Sequence, residues 1–204
     1  LPLGIKLFEE MEELKVAGCS AKLVREKVGG ISYGKLHLLP DLYERFYRHT
    51  HLAPHLLREA VYGLPELNKS RITGARLVAN PGCYPTGAIL GLLPALQHGV
   101  VTHSGIVINS LSGVSGAGRS SSVEMSFTEV NENIRAYKIG THQHIPEIQS
   151  VLSGATGSEV SLSFIPHLVP LNRGIYSTIH ANLAASVNEQ ELFHLYQQSY
   201  EGEP

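Results

Sequence analysis

With 204 residues, a net charge of −2, 43% hydrophobic and 17% charged side chains, the chain is long enough to bury a substantial core and too apolar for disorder. The near-balanced charge argues against a general nucleic-acid or anionic-membrane binder, whose basic excess would be visible. Two cysteines, Cys19 and Cys83, form neither a disulfide framework nor a zinc signature, no apolar run reaches membrane-spanning length, and no leader pattern opens the chain, so a soluble cytoplasmic protein is expected.

In chain order, Ile5 to Lys27 reads as one helix. Leu7, Met11 and Leu14 share a face with Phe8 beside them, and Glu9, Glu10, Glu12 and Glu13 form a solvated face opposite. Gly18 interrupts this pattern and Gly29-Gly30 ends it. Residues 41–60 give a second helical region, broken at Pro54. Tyr62 to Leu67 reads as a loop, Ala75 to Ala79 as a short strand, and Gly87 to Gln97 as a helix with apolar residues at helical intervals. A strand over Gly105–Ser110 runs into a Gly/Ser loop, Ser112 to Arg119. Glu159–Ile165 and Ile175–Leu183 alternate as strands, and Gln190–Tyr200 is an amphipathic helix with Asn188 as its N-cap. There is no repeat and no low-complexity tract. Mixed strands and helices imply an α/β or α+β domain from about residue 75 onward.

Four segments carry side chains suited to chemistry. In Ala79-Asn80-Pro81-Gly82-Cys83-Tyr84-Pro85-Thr86 the cysteine follows a Pro-Gly turn and stands at the start of a helix. Unpaired N–H groups and the positive end of the helix dipole favour thiolate there, and the same N–H groups suit an oxyanion forming beside the sulfur. A small, buried, inert cysteine is the alternative. The loop Ser112–Arg119 exposes backbone N–H groups suited to a phosphate or carboxylate, with Arg119 as a bidentate donor. It lacks the G-x-G-x-x-G spacing of a dinucleotide fingerprint, and a flexible surface turn is its alternative. His142 and His144, two apart on a strand or extended loop, project to the same side. No Cys/Asp/Glu cluster stands near them to complete a metal site, so activating a thiol and shuttling protons is the more economical role. Among 11 histidines, a structural role remains the alternative for either. Arg173, in a Pro- and Gly-bounded turn between two strands, offers its guanidinium to an anionic substrate or to a surface salt bridge.

Taken together, YGLPEL (62–67), ANPGCYPT (79–86), SGVSGAGR (112–119), HQHIPEI (142–148) and PHLVPLNRGI (166–175) resemble, in order and approximate spacing, the N-acetyl-γ-glutamyl-phosphate reductases, NADPH-dependent enzymes of arginine biosynthesis. The resemblance covers about residues 41 to 200. It implies a mixed-sheet substrate domain of the semialdehyde-dehydrogenase type beside a Rossmann nucleotide domain. It also implies that the Cys83 thiolate attacks an acyl phosphate, that phosphate leaves, and that hydride from NADPH reduces the thioester to a semialdehyde. His144 is then the first choice for acid/base catalyst, with His142 second or orienting substrate. Asn80 and the N–H groups around Cys83 stabilise the oxyanion. Arg119 and Arg173, with Ser115 and Gly116, hold the substrate carboxylate and phosphate. The partners implied are a small-molecule acyl phosphate and further copies of the chain, with no metal, nucleic acid or membrane.

The departures are as informative. Nothing in residues 1–40 supplies the family's Gly-rich phosphate loop, GISYGKLHL replaces its stretch before the DLYERFY segment, and the chain stops at Pro204 before the family's Gly/Ala/Gln-rich C-terminal helix. Cys19 matches no catalytic position and is read as structural. The expected division is a helical segment and remnant of the nucleotide-binding domain over 1–78, then a catalytic and substrate domain, incomplete at its C-terminus, over 79–204. The chain is expected to be a fragment that does not bind NADPH tightly by itself. Two other functions fit the same residues: a cysteine-dependent acyl-phosphate hydrolase or transferase without hydride transfer, and a non-catalytic oligomerising piece.

Overall fold

The computed structural model describes residues 13–16, 19–22, 40–48, 50, 54–117 and 127–203. Its contacts divide the chain into two units, Leu1–Thr86 with Tyr196–Pro204, and Gly87–Leu195.

In the first unit, β1 (Glu13–Val16) and β2 (Cys19–Lys22) pair antiparallel, with Val16 opposite Cys19 and Glu13 opposite Lys22. Over these residues the helix expected for Ile5–Lys27 is replaced by strands; Leu7 and Met11 lie outside the described residues. Gly18, which interrupts the helical pattern, lies outside the described residues. Helix α1 (Pro40–Tyr47) follows and buries Tyr43 completely. Pro54 then opens a 3-10 turn, Pro54–Arg58, in keeping with the break read at that proline.

Strands β3 (Ala60–Tyr62) and β4 (Leu77–Ala79) pair in parallel, Ala60 opposite Leu77 and Tyr62 opposite Ala79. Parallel strands need a crossover, and α2 (Pro65–Thr73) supplies it. The loop expected over Tyr62–Leu67 is thus the end of a strand and the first turn of a helix. Pro65 suits that turn because its missing N–H has no intrahelical acceptor there, and Glu66 favours the positive end of the helix. Successive side chains of the short sheet go to opposite faces. Leu77 and Ala79 pack with Leu56 of the 3-10 turn, and Val78 packs with Ile72 of α2. Both faces are therefore covered, the usual condition of a parallel pair. The returning C-terminal segment is tied in by Lys69 Nζ to Glu203 Oε1 at 3.0 Å. Burial, then Tyr196 and Glu66, push the Tyr200 phenol up to about 12.

The second unit is built on a four-stranded mixed sheet of order β6–β7–β5–β8. Here β5 is Ile106–Gly113, β6 is Arg135–Ala136, β7 is Leu162–Val169 and β8 is Ile175–His180. Strand β5 runs parallel to β7, from Ile106 opposite Leu162 to Gly113 opposite Val169, and antiparallel to β8, with Ser112 opposite Ile175. The strand begun at Gly105–Ser110 in the sequence therefore continues through Ser112 and Gly113, because β7 and β8 offer partners that far. Ile106, Ile108, Ser110 and Ser112 are buried along one face of β5, as are Phe164 and Leu168 of β7. Apolar residues of α3 (Cys83–Gln97) and α5 (His144–Thr156), among them Ile89, Leu92, Leu96, Ile148 and Leu152, are equally buried. Gly91 lets α3 come close to β8, since a Cβ there would lie 3.0 Å from Ile179 Cδ1. The buried Ser110 hydroxyl meets Ser177 Oγ across the β5–β8 pair at 2.7 Å, which satisfies both. A short helix, α4 (Phe127–Val130), precedes β6. Among the described residues no helix is long and apolar enough to cross a membrane.

The last helix, α6 (Glu189–Ser199), begins as read from Asn188. The Glu191 backbone N–H donates to Asn188 Oδ1 and the Asn188 N–H donates to Glu191 Oε2, each at 2.9 Å, a reciprocal capping box. Asn188→Ala is expected to cost about 1 kcal/mol of stability. Adding Glu191→Ala should cost less than the sum of the two single changes, because they share one motif. Urea midpoints of the two single variants and the double variant check this.

Candidate active site

The candidate residues fall in both units, and each unit positions its own. In the first, β4 ends at Ala79 and the chain turns through Asn80-Pro81-Gly82 into α3, whose first residue is Cys83. Gly82 closes the first helical turn: its carbonyl accepts from the Thr86 N–H at 3.1 Å and from Thr86 Oγ1 at 3.0 Å. Tyr84 is buried and anchors that turn, while the Cys83 thiol is exposed. The alternative of a buried cysteine is therefore set aside. Asn80 is half-buried next to Gly63. The Gly63 N–H donates to Ala79 O at 2.9 Å, and a Cβ on Gly63 would lie 2.7 Å from Val78 Cγ1 and 3.0 Å from Asn80 Oδ1. The glycine of YGLPEL thus makes room for the residues leading into the cysteine turn.

In the second unit the Gly/Ser segment and the Arg173 turn lock together by main-chain bonds. The Gly113, Val114 and Ser115 N–H groups donate to the carbonyls of Gly174 (3.0 Å), Leu171 (2.9 Å) and Asn172 (3.2 Å). The expectation that this loop exposes its N–H groups to an anion is corrected for these three residues: their donors are already spent on the neighbouring turn. What the loop does is hold Arg173. A Cβ on Gly113 would lie 2.7 Å from Arg173 N and 2.8 Å from Leu171 O, both backbone atoms that cannot swing away. A Cβ on Gly116 would likewise lie 2.6 Å from Ser112 Oγ. Ser115, Gly116 and Arg173 are exposed, and among the described residues no carboxylate pairs with the Arg173 guanidinium. Arg119 lies outside the described residues.

The histidines are placed differently from the sequence expectation. Instead of an extended segment with both rings on one side, His144 is the first residue of α5, and His142 precedes it by two. Pro146 and Glu147 in the first turn, with Ile145, Ile148 and Leu152 buried behind, are the helix-start signals present in the sequence. The His142 ring is 3% exposed. It stands edge-on to Tyr137, His144 and Phe164, with ring centroids 5.7, 4.7 and 5.3 Å away. The Tyr137 N–H donates to Pro166 O at 3.0 Å, which fastens this turn to β7. Burial, then the neighbouring His144 and Lys138 charges, lower the His142 imidazole to about 3. Burial and then Lys138 lower His144 to about 4. Both rings are neutral near pH 7. In that state His144, half-buried, is able to accept a proton.

Two residues near the histidines escaped sequence reading. Lys138, exposed and held at φ 46, is the cation that acts on both imidazoles, with its Nζ 3.4 Å from Gln143 Oε1. Glu147 is 2% exposed in the first turn of α5. The signal for each was proximity in sequence to the histidine pair.

Two outcomes are expected. Gly113→Ala should displace the 171–174 turn at a cost of about 1–3 kcal/mol, seen as a lowered urea midpoint and as shifted amide resonances at Arg173 and Gly174. For pH, the unfolded chain regains ordinary imidazole values near 6.5, whereas the folded values are about 4 and about 3. Between these limits the unfolded state binds more protons, so stability rises with pH across the window from about 4 to 6.5. Denaturant midpoints measured through that window should fall on acidification, and less steeply in His142→Asn/His144→Asn.

Comparison with known proteins gives these elements a family. The model of the semialdehyde dehydrogenase, dimerisation domain family matches residues 83–204, more than half of the chain. Over 163 residues the chain is 54% identical to the N-acetyl-gamma-glutamyl-phosphate reductase of Symbiobacterium thermophilum, which covers 79% of this chain and 47% of that protein. It is 51% identical over 162 residues to that of Pelotomaculum thermopropionicum, with the same coverage of 79% and 47%. These identities bear out the resemblance read from the motifs, and the chain spans about half the length of these curated relatives. In fold it is similar to aspartate semialdehyde dehydrogenase II from Vibrio cholerae, with TM-score 0.53, 13% identity, and 91% of this chain and 67% of that one covered. It is also similar to aspartate semialdehyde dehydrogenase from Francisella tularensis, with TM-score 0.53, 11% identity, and coverage of 71% and 53%. The expected mixed-sheet α/β (α+β) architecture thus holds, and the chain belongs to the semialdehyde dehydrogenase family through its dimerisation domain.

Proposed function

We propose that this chain carries the catalytic portion of an NADPH-dependent N-acetyl-γ-glutamyl-phosphate reductase, an oxidoreductase of arginine biosynthesis working in the reducing cytoplasm. The observation that carries the reading is identity of about one half to reductases of that name across the region containing all the motifs. Roles follow from those motifs. Cys83, exposed at the start of α3, is the nucleophile. Its sulfur forms a bond to the acyl carbon, the carbon–oxygen bond to phosphate breaks, and phosphate leaves with the electron pair. His144, neutral at pH 7, accepts the thiol proton. Asn80 is the oxyanion donor. Arg173 and Arg119, with Ser115 and Gly116, are the anchors for the carboxylate and phosphate of the substrate.

Residues 1–78 are proposed as a remnant of the nucleotide-binding domain and 79–204 as the catalytic and substrate domain. The parallel β3–α2–β4 unit, covered on both faces, supports the presence of a remnant ahead of the cysteine turn. The described residues do not fit the pyrophosphate of NADPH, however. The turn from β3 into α2 carries Gly63 but no Gly-rich loop, and Glu66 puts a carboxylate in the first turn, where an anion would bind. The step derived for these residues is therefore thioester formation. The description of the matching family as a dimerisation domain supports a homo-oligomer.

Phosphate release from N-acetyl-γ-glutamyl phosphate, followed with and without NADPH, tests the proposal. Release is expected from the wild-type chain and should fall at least about a hundredfold in Cys83→Ser. Unchanged release in that variant removes Cys83 from the role. A second reading, thioester hydrolysis or transfer without hydride, is motivated by the unsuitable β3–α2 turn; sustained phosphate release with no NADPH oxidation supports it. No turnover of either kind leaves an oligomerising role.

A further inference from the structure

We infer that His142 is a positioning residue for His144, its Nδ1 capping the first turn of α5, and not a second proton carrier. This rests on the reading of His144 as proton acceptor given above. The start of α5 lacks its usual cap. Gln143 stands at the N-cap position with helical backbone angles (φ −63, ψ −16) and makes no side-chain cap bond. The first N–H groups of a helix need an acceptor from outside the helix. The His144 N–H finds one at 3.1 Å in His142 Nδ1.

That single bond determines the chemistry of His142. An Nδ1 that accepts cannot carry a proton, so the neutral ring holds its hydrogen on Nε2. A second proton would remove the acceptor and place a positive charge at the positive end of α5, beside Lys138. The depressed titration of His142, to about 3, agrees with a ring kept neutral. Burial completes the argument. At 3% exposed, wedged among Tyr137, His144 and Phe164, the ring is the more enclosed of the two, whereas His144 is half-buried, with its Nδ1 shielded from solvent. His142 therefore acts on His144 twice, through its backbone N–H and through an edge-on ring contact at 4.7 Å. The choice between second catalyst and substrate orienter left open by the sequence is replaced by this third role. A residue of Asn type would supply the acceptor alone; histidine also fills the space between Tyr137 and Phe164.

The test uses the whole chain and reads His142 directly. Imidazole ¹⁵N resonances of the wild type should show His142 protonated on Nε2 only, unchanged down to about pH 5. A His142 that carries its proton on Nδ1, or becomes cationic near about pH 6, overturns the inference. Two variants separate the cap from the ring: His142→Phe keeps a ring without an acceptor, and His142→Asn keeps an acceptor without the ring. Protection of the His144 amide from hydrogen exchange should drop about tenfold or more in His142→Phe and return most of the way in His142→Asn. Phosphate release should fall about 10- to 100-fold in His142→Phe, in kcat more than in KM, with partial rescue in His142→Asn. Wild-type protection in His142→Phe also overturns the inference. If the wild-type chain releases no phosphate, the proposed function fails, while the resonances and the exchange measurement still decide the role of His142.

Discussion

Pairing of β5 along its length with β7 on one side and β8 on the other is the constraint on which the second unit depends. The parallel register carries Ser112 opposite Leu168 and Gly113 opposite Val169, so both strands end level. The two segments that continue from them, 113–116 and 170–174, emerge side by side and are joined by three main-chain bonds. Gly113 is the residue that permits so close an approach. The same strand β7 receives β6 on its other edge, with Ala136 opposite His167, and through it the Tyr137 turn that leads to the histidines. Arg173 and the histidine pair, about 30 residues apart in the chain, are thus both hung from β7.

A second consequence concerns charge. The sheet buries one face, and the turn between β6 and α5 closes over Phe164. An imidazole placed there loses much of its hydration, and the cost falls on its cationic form. Lys138, close by, works in the same direction. A nucleophilic thiol needs a proton acceptor more than it needs a stored imidazolium, and His144 is in the neutral, accepting form, while burial, Lys138 and the positive end of α5 make it a weaker base than a free imidazole. The environment that keeps His144 neutral also keeps His142 neutral, yet burial and the Nδ1 bond leave the two with different work.

Local features were readable from the residues themselves. Pro81-Gly82 before an apolar helical run announced a cysteine at a helix start, and Cys83 is the first residue of α3. Asn188 before an amphipathic run announced a capped helix, and the structure adds Glu191 as its reciprocal partner. Such motifs close within one turn, so neighbours in sequence are their only partners. Reading failed where partners come from elsewhere. Glu13–Val16 and Cys19–Lys22 pair with each other despite a helical pattern extending back to Leu7. Pro65 sits in a segment read as a loop until its place in a first helical turn is seen. The Gly/Ser segment looks like an anion cradle along its length until the Gly113, Val114 and Ser115 donors are found on the Arg173 turn.

By itself the sequence determined the inventory: a cysteine behind a Pro-Gly turn, a histidine pair, a Gly/Ser segment and an arginine turn, in an order that identifies a family. It determined these because side-chain chemistry and capping are properties of residues and their immediate neighbours. Tertiary structure alone decided which N–H groups are spent, which imidazole is buried and which half-buried, and in what charge state both are held. Those properties depend on burial and on hydrogen-bond partners supplied from distant parts of the chain, which spacing along the sequence does not encode.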